Sequence, residues 1–269
     1  MDVTHPATGL VPVAYKGFRA RENPSTIFIA SDLHMELRSG DFDAVVGFSD
    51  ADILVLAGDI GNTNTESELY RKTIESASKK YKDVVVVAGN HEYYQCQYNH
   101  KKVLKKLREI CGAFPNVHFL QQETKIIQGI EFIGATLWTL ISKESANGIN
   151  DIRSQVFRTQ IESVGAFIDD YRYIKNALAT PATLPRVVVT HHLPCFRLIN
   201  PRFYHCGIND AFYTNVIDEV NLRGVALWAC GHTHEGAVVK YMDTKLAVNP
   251  LGYPGESKQT VFSAEVYSV

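Results

Sequence analysis

The sequence predicts an α/β fold with a largely buried central sheet and a second sheet beside it. Three observations carry that prediction. Five apolar runs of strand length end abruptly in polar residues, the early runs alternate with helical stretches, and beyond Pro115 the pattern shifts to short strands with the look of a meander. The first of these features also points to a site, because a buried strand that stops at a charged or imidazole side chain delivers it to a sheet edge.

Taken in order, residues 1–24 contain Pro6, Gly9 and Pro12 and no sustained period, and read as an arm laid on the body. Thr26 to Ala30 is the first core strand, followed by a short helical segment from Asp41 and by the strand Ile53 to Ala57. Residues Thr65 to Tyr81 read as a helix, with Glu66 and Glu68 early and Lys79, Lys80 and Lys82 late, as the helix dipole favours. The next strand starts at Val84, and Tyr98 to Cys111 is an amphipathic helix whose lysines form a solvated face. Val117 to Leu120, Thr124 to Gln128 and Ile130 to Ala135 are the short strands, with Gly129 as a turn. Residues 137–185 read as a mostly helical insertion, with its helix over Ser154 to Leu178, placed between two site-bearing strands where it can fold over the site as a cap. Strands at Arg186 and Val225, then Val238 to Tyr241, Lys245 to Val248 and Thr260 to Tyr267, complete the chain.

At 269 residues the chain reads as a single domain able to bury a large core. With 29 acidic and 27 basic residues, nothing in the charge balance asks for nucleic acid or an anionic membrane. Five cysteines without disulfide or CxxC spacing read as free thiols of a reducing compartment, and the N-terminus has no continuous apolar stretch of a signal peptide. No segment approaches the roughly 18 apolar residues of a membrane span, so the expected location is the cytoplasm. The sequence leaves the oligomeric state open.

The five strand ends read Asp32-Leu33-His34, Gly58-Asp59, Gly89-Asn90-His91-Glu92, His191-His192 and Gly231-His232-Thr233-His234. Each alone is an ordinary capping or structural residue; together they assemble carboxylate, imidazole and amide oxygen with no thiolate, a donor set that suits manganese, iron or zinc. In an extended chain residues i and i+2 face alike, which predicts that Asp32 and His34, and likewise His232 and His234, point the same way. Seven candidate ligands are too many for one tetrahedral ion and match two divalent ions about 3.5–4 Å apart that share a bridging carboxylate. By the same alternation His192 faces away from His191, in an outer or structural position, and Glu92 is expected to orient its surroundings.

The ordered blocks D-x-H, G-D, G-N-H-E, H and G-H-x-H, spread over residues 32 to 234, resemble the calcineurin-like metallophosphoesterase superfamily. The resemblance implies a two-sheet mixed β-sandwich flanked by helices. It implies a first metal held by Asp32, His34, Asp59 and His234, and a second held by Asp59, Asn90, His191 and His232, with Asp59 bridging. It also implies that His91 meets the phosphate or its leaving oxygen. The expected activity is hydrolysis of a small phosphoester, as a phosphodiesterase or small-molecule phosphatase, by a hydroxide that two cations make available near neutral pH. The alternatives are a protein serine/threonine phosphatase and, from another class, a non-catalytic binding scaffold on the same fold.

Departures from the pattern refine the expectation. The protein-phosphatase branch, as the resemblance would have it, reads G-D-x-x-D-R-G, whereas this chain places Asn62 at the second acidic position and no arginine after it. Asn62 is therefore expected beside His91, leaving the imidazole without a carboxylate partner unless Glu92 or a residue of the insertion supplies one. Arg153 in the insertion and Arg202 in the irregular loop after His192 are the candidate phosphate contacts; the ordinary reading of Arg153 is a surface ion pair or a helix start capped by Asp151.

Overall fold

The computed structural model describes residues 11–12, 24–46, 49–256, 262–263 and 265–269. Most of the N-terminal arm, and residues 260, 261 and 264 of the final strand, lie outside them. In chain order the elements are β1 (Val11–Pro12), β2 (Thr26–Ala30), α1 (Phe42–Val46), β3 (Ile53–Ala57), α2 (Ser67–Lys80), β4 (Asp83–Val87), α3 (His100–Gly112), β5 (Val117–Phe119), β6 (Glu123–Ile127) and β7 (Ile130–Gly134). They continue with α4 (Lys143–Gly148), α5 (Asn150–Arg153), α6 (Gln160–Ala179), β8 (Arg186–Val189), β9 (Val225–Cys230), β10 (Ala237–Tyr241), β11 (Thr244–Val248) and β12 (Val266–Ser268).

Two six-stranded sheets face each other, in the orders β1-β12-β2-β3-β4-β5 and β10-β11-β9-β8-β7-β6. Each is parallel at its centre, β2-β3-β4-β5 in one and β7-β8-β9-β11 in the other; β12 runs antiparallel to β2 in the first, and the pairs β10·β11 and β6·β7 at the two margins of the second are antiparallel. Strands β3 and β9 are apolar throughout, and the other central strands over most of their length, because they are covered on both faces. Ile27, Ile29, Val55, Val85, Phe132, Val187 and Leu227 fill the space between the sheets. Their alternate neighbours Phe28, Leu54, Val86, Val188 and Trp228 belong to the core on the outer faces. This is the mixed two-sheet sandwich with flanking helices that the blocks imply.

Two of the long helices start where a side chain caps them rather than where the periodicity begins. The amphipathic helix begins at His100 because the Asn99 side chain accepts from the Lys102 N–H, and α6 begins at Gln160 because Thr159 accepts from Glu162 N–H. The insertion therefore splits into two parts. Gln160–Ala179 lies in the crossover between the parallel strands β7 and β8, while the short α4 and α5 precede it near the site. No helix among the described residues is long and apolar enough to cross a membrane.

Candidate metal centre

Parallel strands β2, β3 and β4 of one sheet and β8 and β9 of the other end on the same side of the molecule, which brings the five polar blocks into one place. Asp32, His34, Asp59, His191, Asn90 and His232 are gathered there, the first four at most 1% exposed. One cluster unites Asp32, His34 and His234, and another unites Asp59, His191 and His232, with the ligand-type atoms of each within 4.8 Å of one another. Asp59 spans them, with Oδ1 3.4 Å from His191 Nε2 and Oδ2 3.9 Å from His34 Nε2. Asn90 Oδ1 lies 3.1 Å from His191 Nε2, so all seven candidate ligands converge.

The route to that convergence differs from the extended-chain expectation. Asp32, His34, Asp59, His232 and His234 all have positive φ, at 54°, 45°, 55°, 71° and 52°. The chain at D-x-H and H-x-H is thus not extended, and the i, i+2 argument does not hold. His232 and His234 enter different clusters rather than one. Left-handed backbone at non-glycine residues costs about 1–3 kcal/mol each, and such strain persists where the surrounding structure over-determines it. Here it turns each side chain inward immediately past its strand.

The glycines of the blocks have a steric reason. A Cβ on Gly58, whose φ is +87°, would lie 2.4 Å from His191 Nδ1, and one on Gly89 would lie 2.2 Å from Asp59 Oδ1. Only a residue without a side chain lets strands of the two sheets approach this closely. Glu92 holds the arrangement from beneath: its buried carboxylate accepts the Asp59, Ile60 and Gly89 N–H groups at 3.0, 2.8 and 2.7 Å. It ties the end of β3 to the end of β4. His192 is buried against Trp138 and His232, with Nδ1 3.4 Å from the Thr136 carbonyl.

The donor set fits cations. His34 Nε2 faces His234 Nε2 at 3.0 Å, and His191 Nε2 faces His232 Nδ1 at 3.2 Å. Two facing imidazole nitrogens share at most one proton, whereas a cation uses both lone pairs. Burial favours the neutral, ligating forms of His34 and His232, lowering both below the usual imidazole range. Two of the remaining ring nitrogens are tied outward, His191 Nδ1 to the Ala57 carbonyl at 2.9 Å and His234 Nδ1 to Glu256 at 2.8 Å. Such outer contacts set which nitrogen faces a metal.

His91 stands beside these clusters, its ring centroid 4.3 Å from that of His34. Its Nδ1 is 3.0 Å from Glu36 Oε1, and its Nε2 is 3.0 Å from the Tyr253 hydroxyl. Burial opposes the imidazolium, but Asp59 and then Glu36 outweigh it, and the His91 pKa is raised. Asn62 takes no part: its Oδ1 accepts from Asn64 and Thr65 N–H in the turn that leads into α2. The carboxylate missing from position 62 is supplied by Glu36, which corrects the expectation that His91 would lack one.

Arg153 and Arg202 do not enter the cavity in front of the clusters. Arg153 is exposed and donates to the Asn147 carbonyl at 3.3 Å, and Arg202 pairs with Glu235. In their place the insertion contributes Asp151, buried and accepting from the Asn90 amide at 3.0 Å and the Tyr94 hydroxyl at 3.3 Å. Because Asp151 demands the amide nitrogen, Asn90 presents its oxygen to His191. Glu36, Asp151, Tyr253 and Glu256 carried no strand-end signal; Glu36 alone offered a hint, two residues past His34.

Solved structures share this architecture. Phosphopantetheinyl Hydrolase from Mycobacterium tuberculosis matches with a TM-score of 0.61 at 18% identity, covering 86% of this chain and 90% of that one. A protein of Thermus thermophilus matches with a TM-score of 0.53 at 12% identity, covering 86% and 90%. At the level of sequence, an uncharacterized protein of Acanthamoeba polyphaga mimivirus is 28% identical over 261 residues, 84% of this chain and 90% of that protein. The family model described as Calcineurin-like phosphoesterase matches residues 25–236, a span containing all seven converging side chains and His91. The chain belongs to the calcineurin-like phosphoesterase family, and with it to the metal-dependent phosphoester hydrolases.

Proposed function

We propose that the protein hydrolyses small phosphoesters, as a phosphodiesterase or small-molecule phosphatase, with two divalent cations held at the two clusters. Asp32, His34, Asp59 and His234 would hold one, and Asp59, Asn90, His191 and His232 the other. The observation that carries this reading is the pair of imidazole and carboxylate clusters joined through Asp59 with His91 alongside. Manganese, iron or zinc held by these residues would supply charge neutralisation on the phosphate and activation of a water.

The chain's own residues do the rest. Glu36 accepts the Nδ1 proton of His91 and so leaves Nε2 to meet the phosphate or its leaving oxygen, where the Tyr253 hydroxyl now lies. The carboxylate favours the imidazolium that forms when Nε2 takes up a proton, and a protonated Nε2 is able to return it to an alkoxide. Asp151 and Glu92 hold Asn90 and Asp59 in place. The free state of all five cysteines supports a reducing compartment such as the cytoplasm.

The test is hydrolysis of bis-p-nitrophenyl phosphate with added Mn²⁺. Asp59→Asn should lose activity and bound metal together, whereas His91→Ala should keep most of the metal and lose turnover by a factor of about 10² or more. A folded Asp59→Asn protein with full metal content would contradict the bridging role. Inactivity of the unaltered protein across metals and phosphoesters would leave the scaffold alternative ahead.

A further inference from the structure

The cavity in front of the clusters has a volume of about 400 Å³, and its two sides differ in character. One side is the polar group of Asp59, His91, His232 and His234. The other is mainly apolar, formed by Ile149, between α4 and α5, and by Ile199, Phe203, Ile208 and Phe212 from the long loop between β8 and β9, with the amides of Asn150 and Asn209 beside them. The two parts of this wall meet: a Cβ on Gly148 would lie 3.4 Å from Ile208 Cγ2. The wall is anchored behind, where Ile149 and Phe212 pack on the buried Ile141, Ala146 and Ala211. It also reaches the clusters directly, the Phe212 ring lying 4.9 Å from that of His232. Among the described lining residues there is no lysine or arginine, and the acidic ones beyond Asp59 are Asp151 and Glu256.

We infer that the substrate is a phosphoester with one uncharged, apolar arm, alkyl or aryl, seated against Ile149, Phe203, Ile208 and Phe212. The inference rests on the proposed hydrolase reading for the position of the phosphate, and adds what the phosphate is attached to. A phosphate at the clusters places its ester substituent within reach of the wall. An apolar arm there is removed from water at a gain of about 0.8 kcal/mol per methylene, so two buried methylenes already amount to roughly tenfold in affinity. A second phosphate or a carboxylate on that arm would meet mostly aliphatic and aromatic carbon, with neutral amides of Asn150 and Asn209 and no cation to pair with, and its desolvation would be poorly compensated. The same lining therefore selects against nucleoside polyphosphates and sugar bisphosphates.

The experiment measures binding of phosphonates, which carry the anionic head and are not hydrolysed. Calorimetric affinities of methyl-, butyl-, hexyl- and 2-carboxyethylphosphonate for the Mn²⁺-supplemented protein are compared, alongside turnover of bis-p-nitrophenyl phosphate. Hexylphosphonate should bind at least tenfold more tightly than methylphosphonate, and the carboxyethyl compound no better than methyl. Ile208→Asp, at a partly exposed position, should remove the chain-length dependence, and Phe203→Ser should reduce it. Equal affinities across the series, or tighter binding of the carboxyethyl compound, with turnover present, would overturn the apolar arm and leave the hydrolase reading standing. Chain-length dependence in a protein without turnover would do the reverse.

Discussion

At the residue scale the centre shows how one carboxylate can replace another from a different part of the chain. Asn62 stands where the protein-phosphatase branch is expected to carry an acid, yet its side chain closes a turn, and Glu36 reaches His91 instead. Glu36 sits past the left-handed His34, and that turn directs it back under the imidazole rings. Replacing it has a predictable cost. Glu36→Gln removes the charge that favours imidazolium at His91, so proton donation to a poor leaving group weakens. Turnover of alkyl esters should drop by about tenfold or more and that of p-nitrophenyl esters by less, steepening the dependence of rate on leaving-group pKa. Asn62→Asp should leave that slope unchanged. A series of substituted phenyl and alkyl phosphodiesters measures both, and a slope that responds to position 62 but not to position 36 would contradict the assignment.

At the scale of elements, α6 does more than cross over from β7 to β8. Its Asp170 is buried and accepts from Gln121 and Gln122 side chains at 2.8 Å each and from Leu137 N–H at 2.9 Å. Gln121 in turn accepts from Thr136 N–H, and the Thr136 carbonyl accepts from His191 and His192 N–H at 3.1 and 3.2 Å. The helix thus braces the turn that positions His191, by way of a residue that belongs to none of the five polar blocks. Burial pushes the Asp170 carboxyl up, to about 6, against the pull of its hydrogen-bond donors. The unfolded chain releases this proton near pH 4 and the folded chain holds it to about pH 6. Stability from this group is therefore complete below about pH 4 and declines as the pH rises through about 6, by up to roughly 3 kcal/mol. Urea denaturation of the protein and of Asp170→Asn should show the stability difference, native minus variant, falling between about pH 4 and 6.5. A difference that is flat across that window would show that Asp170 is ionised in the folded state throughout.

On the scale of the whole molecule, the centre joins the two sheets: Asp32, His34, Asp59 and Asn90 follow strands of one, and His191, His232 and His234 follow strands of the other. Cations bound there would bind only when both sheets are in place, and a ligand of the folded state alone stabilises by about 2.7 kcal/mol at a hundredfold excess over its Kd. For a chain of this size that corresponds to a rise in Tm of roughly 5–10 °C. Mn²⁺ should therefore raise the Tm of the protein, and do so much less for Asp59→Asn, which loses one of the two carboxylate oxygens lying between the clusters. Scanning calorimetry with and without the ion reads this directly, and equal shifts in both proteins would count against a shared carboxylate.

The fold class and the polar residues of the centre are written in local sequence pattern. Strands buried on both faces must be apolar throughout, and Asp32, Asp59, Asn90, His191 and His232 stand out because they interrupt such strands at their ends. That signal needs only neighbours along the chain, and so it was legible. Everything that depends on the direction the chain takes after the strand was not. Whether Glu36 or Asn62 meets His91, whether Asp151 faces Asn90 or caps a helix, and whether Arg202 enters the cavity or pairs on the surface depend on contacts between residues far apart in sequence, and Arg153 is turned away to the nearby Asn147 carbonyl by the way its short helix is laid down. They are decided by left-handed turns at Asp32, His34 and Asp59 and by how α4 and α5 lie against the loop after β8, neither of which has a periodicity to read. Spacing along the chain reports which side chains a strand delivers to its end; only packing of one segment on another decides what they touch there.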